Sequence, residues 1–382
     1  MLTALVILFG LYFILLVLLS RGWRRAVQPL QVSGEVTDGP VTVIIAARNE
    51  ENTIGELLED LDRQRTNNFE VIVVDDHSED NTAGVIKTWA RKVGYPLTLI
   101  NPGVLQGKKN SLSTGIGHAR GPVVIVTDAD CRVGDEWIAS LRGCFENADT
   151  KFVAGAVRIQ RDNTWRSALQ ATEFVSLVGT GAAAIGSGYP VMCNGANMAF
   201  RKETFLEVKG YEGNLHIASG DDEFLMNKIQ NRYPGGVRFC SDSEATVETA
   251  AVSWREFISQ RIRWAGKWKG HGLSLSAAIA IFVFSFHFSL LTIFPASLLA
   301  YHPLIPLSLL AVKAILEYSF LSAVCRFIGL KWNWPAFGLL QVIYPLYAVT
   351  IGIAANVGAT TWKGRKIKSG LMEMHSPLAE NR

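Results

Sequence analysis

The sequence predicts an α/β domain with a mainly parallel sheet, framed by apolar helices at both ends. Three observations predict it. Short apolar runs without strict polar alternation recur between residues 40 and 156, separated by stretches with helical spacing. Charged and polar residues gather just after those runs. Long apolar segments lie before residue 21 and after residue 272. Strands that are apolar on both faces belong in sheets covered on both sides, and such sheets are parallel.

The first element is residues 2–20, LTALVILFGLYFILLVLLS, which carry no charge. At about 1.5 Å per residue they nearly span a hydrocarbon core of about 30 Å. Arg21, Arg24 and Arg25 follow at once. A cleaved leader has its basic residues before the apolar run and a small-residue cleavage site after it. The reverse order reads as an uncleaved anchor, with residue 21 onward in the cytoplasm. Residues 21–39 read as a linker.

The sheet follows. VTVIIAA (41–47) precedes a helical stretch with Ile54, Leu57, Leu58 and Leu61 on one face. EVIVVDD (70–76) precedes another, with Ala83, Ile86, Trp89 and Ala90. LTLI (97–100) leads into SLSTGIGHA, and PVVIVTDAD (122–130) is the fourth strand. In such sheets ligands bind beyond the carboxyl ends of the strands. The residues found there are Arg48 and Glu50 after the first strand, Asp75, Asp76 and Ser78 after the second, and Asp128 and Asp130 after the fourth. Neither a dinucleotide-binding glycine motif nor a P-loop occurs at the first turn.

Helix capping alone accounts for Asp75 or Ser78. It accounts poorly for two carboxylates one residue apart, Asp128 and Asp130. Ionised carboxylates repel each other and are costly to desolvate, so a cation between them is expected. Mg²⁺ or Mn²⁺ fits, because hard cations take oxygen ligands and bridge to phosphates.

Two later stretches extend the pattern. SGDDEFLMNKI (219–229) places Asp221 and Asp222 at a helix start, where either could serve only the helix dipole. SQRIRWAGKW (259–268) places Gln260, Arg261, Arg263 and Trp264 just before the C-terminal apolar segments, where a basic aromatic helix is common beside a bilayer. Those segments lie near 274–300, 303–326 and 335–358, and Lys313 and Glu317 are spaced to pair within the second. Three full spans would carry the basic stretch WKGRKIK outside, against the positive-inside rule. Either one segment lies in plane or re-enters, or the rule does not hold here.

Composition narrows the class. Of 382 residues 49% are hydrophobic, and the formal net charge of +3 is too small to point to nucleic acid. The cysteines number five, without CxxC spacing, so neither a disulfide framework nor a zinc site is suggested.

The ordered set of motifs resembles the membrane-embedded family 2 glycosyltransferases, which include cellulose, hyaluronan and poly-N-acetylglucosamine synthases and lipid glycosyltransferases. The resemblance covers roughly residues 40–270. AARNEE (46–51) looks like the family's nucleotide-binding first loop, and VVDDHSEDNT (73–82) is similar to its uridine-binding turn. GKKNSLSTG resembles the segment whose lysine, here Lys108, contacts the nucleotide. The DAD stretch resembles the metal motif. GDD (220–222) resembles the acidic motif whose last Asp is the general base, although Glu223 stands where the hyaluronan synthases have Arg. QRIRW (260–264) matches the family's Q(Q/R)xRW, and CNGANMAFRK (193–202) resembles the loop beside the sugars.

The resemblance implies a GT-A catalytic domain and an inverting hexosyltransferase that uses a nucleotide-diphosphate sugar, with UDP the expected nucleotide. Asp222 would be the base and Asp130 the ligand of Mg²⁺ or Mn²⁺. Ala46, Arg48, Glu50, Asp75, Asp76, Lys108, Asp128, Gln260, Arg261 and Arg263 would bind the donor. Trp264, Asn194, Gly195 and Asp221 would bind the acceptor. The implied domains are an anchor (1–20), the linker (21–39), the GT-A domain (40–245), an interfacial segment (246–272), about three membrane helices (273–358) and a basic tail (359–382). The protein is expected in the cytoplasmic membrane, multi-pass, with its catalytic domain in the cytoplasm. The acceptor is a lipid or lipid-linked glycan. The competing readings are a processive polysaccharide synthase and a catalytically silent membrane scaffold.

Overall fold

The computed structural model describes residues 1–29, 39–104, 106–215, 220–266, 275–357, 360–362 and 365–367. Residues 30–38 of the linker, 267–272 of the interfacial segment and most of the tail lie outside the described residues. Helix α1 (Leu2–Ala26) runs past the expected anchor end at residue 20. Its buried stripe is Leu5, Phe9, Tyr12, Leu16 and Trp23, while Val6, Ile7, Leu11, Ile14 and Leu18 are exposed. One apolar face packs on protein and the other is left for lipid.

The elements β1 (Val41–Ala47), α2 (Ile54–Asp62), β2 (Phe69–Asp75), α3 (Thr82–Trp89), β3 (Leu97–Ile100), α4 (Lys108–His118) and β4 (Val123–Asp128) alternate as expected. The predicted face of α2 is buried at Ile54, Leu57, Leu58 and Leu61. Strands β1, β2, β3 and β4 pair in parallel, with β1 between β2 and β4. The register sets Ala46 beside Asp128 and Ala47 beside Asp75. The chain order reverses on either side of β1, which is where α/β sheets open a crevice.

The second half adds β5 (Cys131–Arg132), α5 (Trp137–Gly143), β6 (Phe152–Ala154), β7 (Val157–Ile159), α6 (Trp165–Gly186), β8 (Met198–Arg201), α7 (Lys202–Glu207), α8 (Asp221–Arg232), β9 (Val237–Phe239) and β10 (Val247–Thr249). The main sheet has the order β3-β2-β1-β4-β8-β6-β9, and β5-β10-β7 form a small second sheet. Strand β8 runs antiparallel to both β4 and β6. The expected mainly parallel sheet is therefore mixed in this half.

Beyond it lie α9 (Trp254–Ala265), α10 (Leu275–Leu291), α11 (Ile293–Ala300), α12 (Leu304–Phe327) and α13 (Trp334–Val357). The short strands β11 (Thr360–Trp362) and β12 (Arg365–Ile367) pair antiparallel. By length and composition α1, α10–α11, α12 and α13 are able to cross a bilayer. Helix α6 also passes that test, but its apolar window is 72% buried inside the protein. Within the second apolar segment, Lys313 and Glu317 do pair, at 2.9 Å.

Helix α6 joins the two halves. One core cluster runs from Ile44 and Val126 of the sheet through Val175 and Ala183 of α6 to Trp23 of α1 and Phe320 and Val324 of α12. Arg158 of β7 adds a polar tie, donating to the Ile328 carbonyl just after α12 at 2.6 Å. The approach of α1 to α6 is backbone against backbone. A Cβ at Gly22 would lie 2.2 Å from the Ala183 carbonyl oxygen, and one at Gly186 would lie 2.1 Å from the Gly22 carbonyl oxygen. Overpacking of such a seam costs about 1–3 kcal/mol. Gly22→Val is therefore expected to lower the melting temperature in detergent by several degrees. Gly10→Val in the same helix, with open space around it, is not. Equal melting temperatures for both variants would refute the close-packed seam.

Candidate active site

The carboxyl ends of β1, β2 and β4 open into a cavity of about 760 Å³. Its polar wall includes Ala46, Arg48, Glu50, Asp76, Lys108, Asp128, Asp130, Asn194, Gly195, Asp221 and Asp222. Gln260, Arg263 and Trp264 of α9 complete it. The side formed by α6 is apolar, with Phe174, Leu177, Val178, Gly181, Ala182 and Ile185.

Local structure places each side chain. Gly107, at φ 101°, turns the chain into α4 and caps it. Its N–H donates to both carboxylate oxygens of Asp76, at 3.0 and 3.1 Å. Arg48 is buried and donates to the carbonyls of Asp76 and His77 at 2.9 Å. It also reaches Glu79 at 3.0 Å. The β1 and β2 loops are thereby tied together. The first residue of α4, Lys108, then reaches across the cavity. Its Nζ lies 2.6 Å from Asp128 Oδ1 and 3.2 Å from Asp221 Oδ2. Burial alone would pull the ammonium down, but attraction to Asp128 and Asp221 outweighs it and holds Lys108 well above the usual lysine range.

Asp221 and Asp222 begin α8, whose cap position belongs to Gly220 at φ 81°. Neither Asp is the cap residue, though both stand in the first turn, where the helix dipole favours a carboxylate. Asp222 accepts the Gly195 N–H at 3.1 Å through Oδ2 and the Glu223 N–H at 2.8 Å through Oδ1. Gly195 sits close against the charged groups. A methyl there would lie 3.0 Å from Asp221 Oδ2 and 3.4 Å from Lys108 Nζ.

Helix α9 starts with a capping box, Ser253 and Glu256 each bonding the other's backbone. Arg255, Ser259, Gln260 and Arg263 then share the face that lines the cavity. Burial lowers the Arg263 guanidinium from its ordinary value, against the attraction of Asp128 and Asp221. It remains a cation.

Two expected donor-binding residues fall elsewhere. Arg261 is 5% exposed and turned onto Glu173 of α6, because residues one apart on a helix differ by about 100° and Arg261 shares its face with Phe257. Asp75 holds its own turn, its Oδ1 accepting from the Ser78 hydroxyl at 2.5 Å, and it is not among the residues that line the cavity. The sequence reading missed the apolar wall of α6, whose signal was the small-residue run GTGAAAIG, and it missed Glu173.

Among the described residues, no group of three His, Cys, Asp or Glu is placed to hold a metal. The donor set fits a cation carried with a diphosphate. Mg²⁺ in particular binds through one or two carboxylates plus substrate phosphates. Asp130 is exposed at the cavity and Asp128 lies beside it, which suits that division.

Residues 42–208 match the family model described as glycosyl transferase family 2. An undecaprenyl-phosphate 4-deoxy-4-formamido-L-arabinose transferase from Edwardsiella ictaluri is 29% identical over 133 residues, 33% of this chain and 39% of that protein. A poly-beta-1,6-N-acetyl-D-glucosamine synthase from Staphylococcus epidermidis is 27% identical over 140 residues, 36% of this chain and 34% of that protein. The chain thus matches less than two fifths of the length of these curated relatives. The mannosyltransferase PcManGT from Pyrobaculum calidifontis, solved with GDP-Man and Mn²⁺, superposes with a TM-score of 0.56 at 21% identity. That superposition covers 93% of this chain and 95% of the other, so the likeness in fold includes the flanking helices. The sheet and the crevice beside β1 agree with the match of residues 42–208 to the glycosyl transferase family 2 model, which spans less than half of the chain.

Proposed function

We propose that the chain transfers one sugar, with inversion, from a nucleoside-diphosphate sugar to a lipid or lipid-linked glycan at a membrane. The observation that carries this reading is the cavity itself. It brings a carboxylate, Asp222, and two cations, Lys108 and Arg263, into one cavity with the apolar residues of α6. Lys108, Arg263 and Gln260 bind and orient the diphosphate, with Arg48 and Asp76 shaping the nucleotide loop. Asp222 takes the proton of the attacking acceptor hydroxyl, and its two backbone N–H bonds hold it in place. Asp130, with Asp128, would hold Mg²⁺ or Mn²⁺, which supplies Lewis-acid charge neutralisation at the leaving diphosphate. Trp264, Asn194, Gly195 and Asp221 border the acceptor. The apolar wall of α6 supports a lipid-borne acceptor. UDP is the nucleotide expected from the resemblance, and GDP is the alternative to be compared.

The base is tested by paired variants. Asp222→Asn keeps one acceptor oxygen where two N–H groups need one each, so it costs about 1 kcal/mol of stability. It cannot accept a proton, and loss of a general base costs about 10²–10⁴-fold in rate. Transfer from radiolabelled UDP- and GDP-sugars in membranes is expected to fall at least about a hundredfold for Asp222→Asn. Asp221→Asn is expected to be milder. Near wild-type transfer by Asp222→Asn would place the base elsewhere. A product that grows with time into a polymer insoluble in organic solvent would favour processive extension over single transfer to a lipid.

Metal dependence has its own outcome. EDTA is expected to abolish transfer, and Asp130→Asn is expected to remove most of it while the protein still melts as wild type does. Full activity in metal-free buffer would overturn this assignment.

Orientation follows from Arg21, Arg24 and Arg25, the last two of which close α1. By the positive-inside rule this charge pattern supports a catalytic domain in the cytoplasm of a multi-pass protein in the cytoplasmic membrane. Asp149 is exposed on that domain. Asp149→Cys should therefore react with an impermeant maleimide only after cells are opened. Labelling in intact cells would reverse the orientation.

A further inference from the structure

Arg261 lies within the motif that frames the cavity, yet its side chain is not part of the cavity wall. All three of its guanidinium nitrogens are committed. Nε donates to Glu173 Oε1 at 3.0 Å and Nη2 to Glu173 Oε2 at 2.6 Å. Nη1 donates to Gln260 Oε1 at 2.6 Å. The guanidinium is also sandwiched, with its carbon 4.4 Å from the Phe257 ring centre and 4.5 Å from that of Trp264. Glu173 is 5% exposed and receives a further bond, from the Tyr347 hydroxyl of α13 at 3.1 Å. A buried carboxylate from α6, a phenol from α13 and two aromatic rings of α9 thus leave Arg261 one orientation.

That orientation has a consequence for Gln260, which does line the cavity. A carboxamide has one accepting end and one donating end. A guanidinium has donors only, so it can be satisfied only by the oxygen of Gln260. With that oxygen taken, the end left for a ligand is the NH₂ group. A diphosphate presents oxygens and needs donors. The opposite amide flip would present an oxygen to an anion.

We propose that Arg261 is a positioning residue, held by Glu173 and Tyr347, that fixes the Gln260 carboxamide with its N–H groups toward the diphosphate of the donor. This rests on the nucleotide-sugar reading of the cavity. It also explains why arginine stands here. A lysine ammonium on Glu173 is a single point and cannot bridge both carboxylate oxygens and Gln260 together.

The test is a double-mutant cycle of Arg261→Lys and Gln260→Ala in the full chain. UDP and GDP binding are read by calorimetry with Mn²⁺ present, beside melting temperature. Arg261→Lys keeps a cation on Glu173, so the protein should still fold, melting a few degrees below wild type because bonds in the buried network are lost. Nucleotide binding should nevertheless weaken about tenfold, the worth of one charge-assisted hydrogen bond. Gln260→Ala should weaken it by about as much, and the double variant no further, because both changes remove the same contact. Additive losses, or wild-type affinity in Arg261→Lys, would show that Arg261 only stabilises the fold. If Arg261→Lys does not fold, Gln260→Glu decides the matter. Its carboxylate keeps the contact with Arg261 but offers no donor, so melting should hold while nucleotide binding falls at least as far as in Gln260→Ala. Unchanged binding in Gln260→Glu would overturn the proposal. A wild-type chain that binds neither UDP nor GDP would remove the reading of the cavity, and this role with it. Wild-type binding with an additive cycle would remove the positioning role alone.

Discussion

The site depends on resolving one electrostatic conflict. Asp128, Asp221 and Asp222 converge on a cavity with Asp130 at its rim, and the proposed substrate brings a further diphosphate. Like charges gathered in one cavity repel each other. Lys108 meets the conflict directly by standing between Asp128 and Asp221. Its place is set by the turn at Gly107, which both oxygens of Asp76 hold. The loop carrying Asp76 is held in turn by Arg48 from the end of β1. Removing any link loosens the next. The charge balance at the centre is thus a property of the loops of three strands together rather than of one ion pair.

The second organising element is α6. Ala183 and Gly186 let α1 approach to backbone contact, and Phe174, Leu177, Val178, Gly181, Ala182 and Ile185 form the apolar wall of the cavity. The same helix therefore faces a membrane anchor on one side and the site on another. The core that includes Trp23, Val175, Phe320 and Ile44 is continuous across this boundary. The catalytic domain is packed onto the helices rather than tethered to them. For an acceptor that is itself a lipid, this arrangement shortens the path from bilayer to Asp222.

These facts divide cleanly by how far apart in sequence the partners lie. The strands β1 to β4 and the apolar face of α2 were legible, because period and turn residues are local. The acidic pair of DAD and the GDD stretch were legible as charges in unlikely places. Lys108 was singled out only by its resemblance, since its partners lie 20 and more residues away. Asp75 and Arg261 lie outside the cavity lining for one geometric reason. Adjacent residues in a motif do not share a direction, on a strand end or on a helix. Phe257, four residues before Arg261, was the available signal that Arg261 belonged to the buried face. Helix α6 went unread because small and polar residues dilute its apolar character. Its window has a mean hydropathy of 1.2, against 2.9 for α1.

Charge buried among the membrane helices completes the picture. Lys313 bonds Glu317 and Gln341 at 2.9 Å, and Gln341 returns a bond to Glu317 at 2.7 Å. Tyr12 of α1 donates to Glu317 as well. Such a cluster is weak support for stability, because desolvating two charges offsets most of their attraction. Its effect is on register, since every member needs its partners and a shift of one turn strands a charge in hydrocarbon. Pro345 follows Gln341 by four residues and cannot donate to its carbonyl, so the helix is pliable there and needs an external restraint. Two residues beyond Pro345, Tyr347 meets Glu173. Helix α13 is therefore pinned on both sides of its weak point, once within the membrane cluster and once at the carboxylate that holds Arg261. The position of a residue at the edge of the cavity is in this way tied to the packing of helices that never reach the cavity themselves.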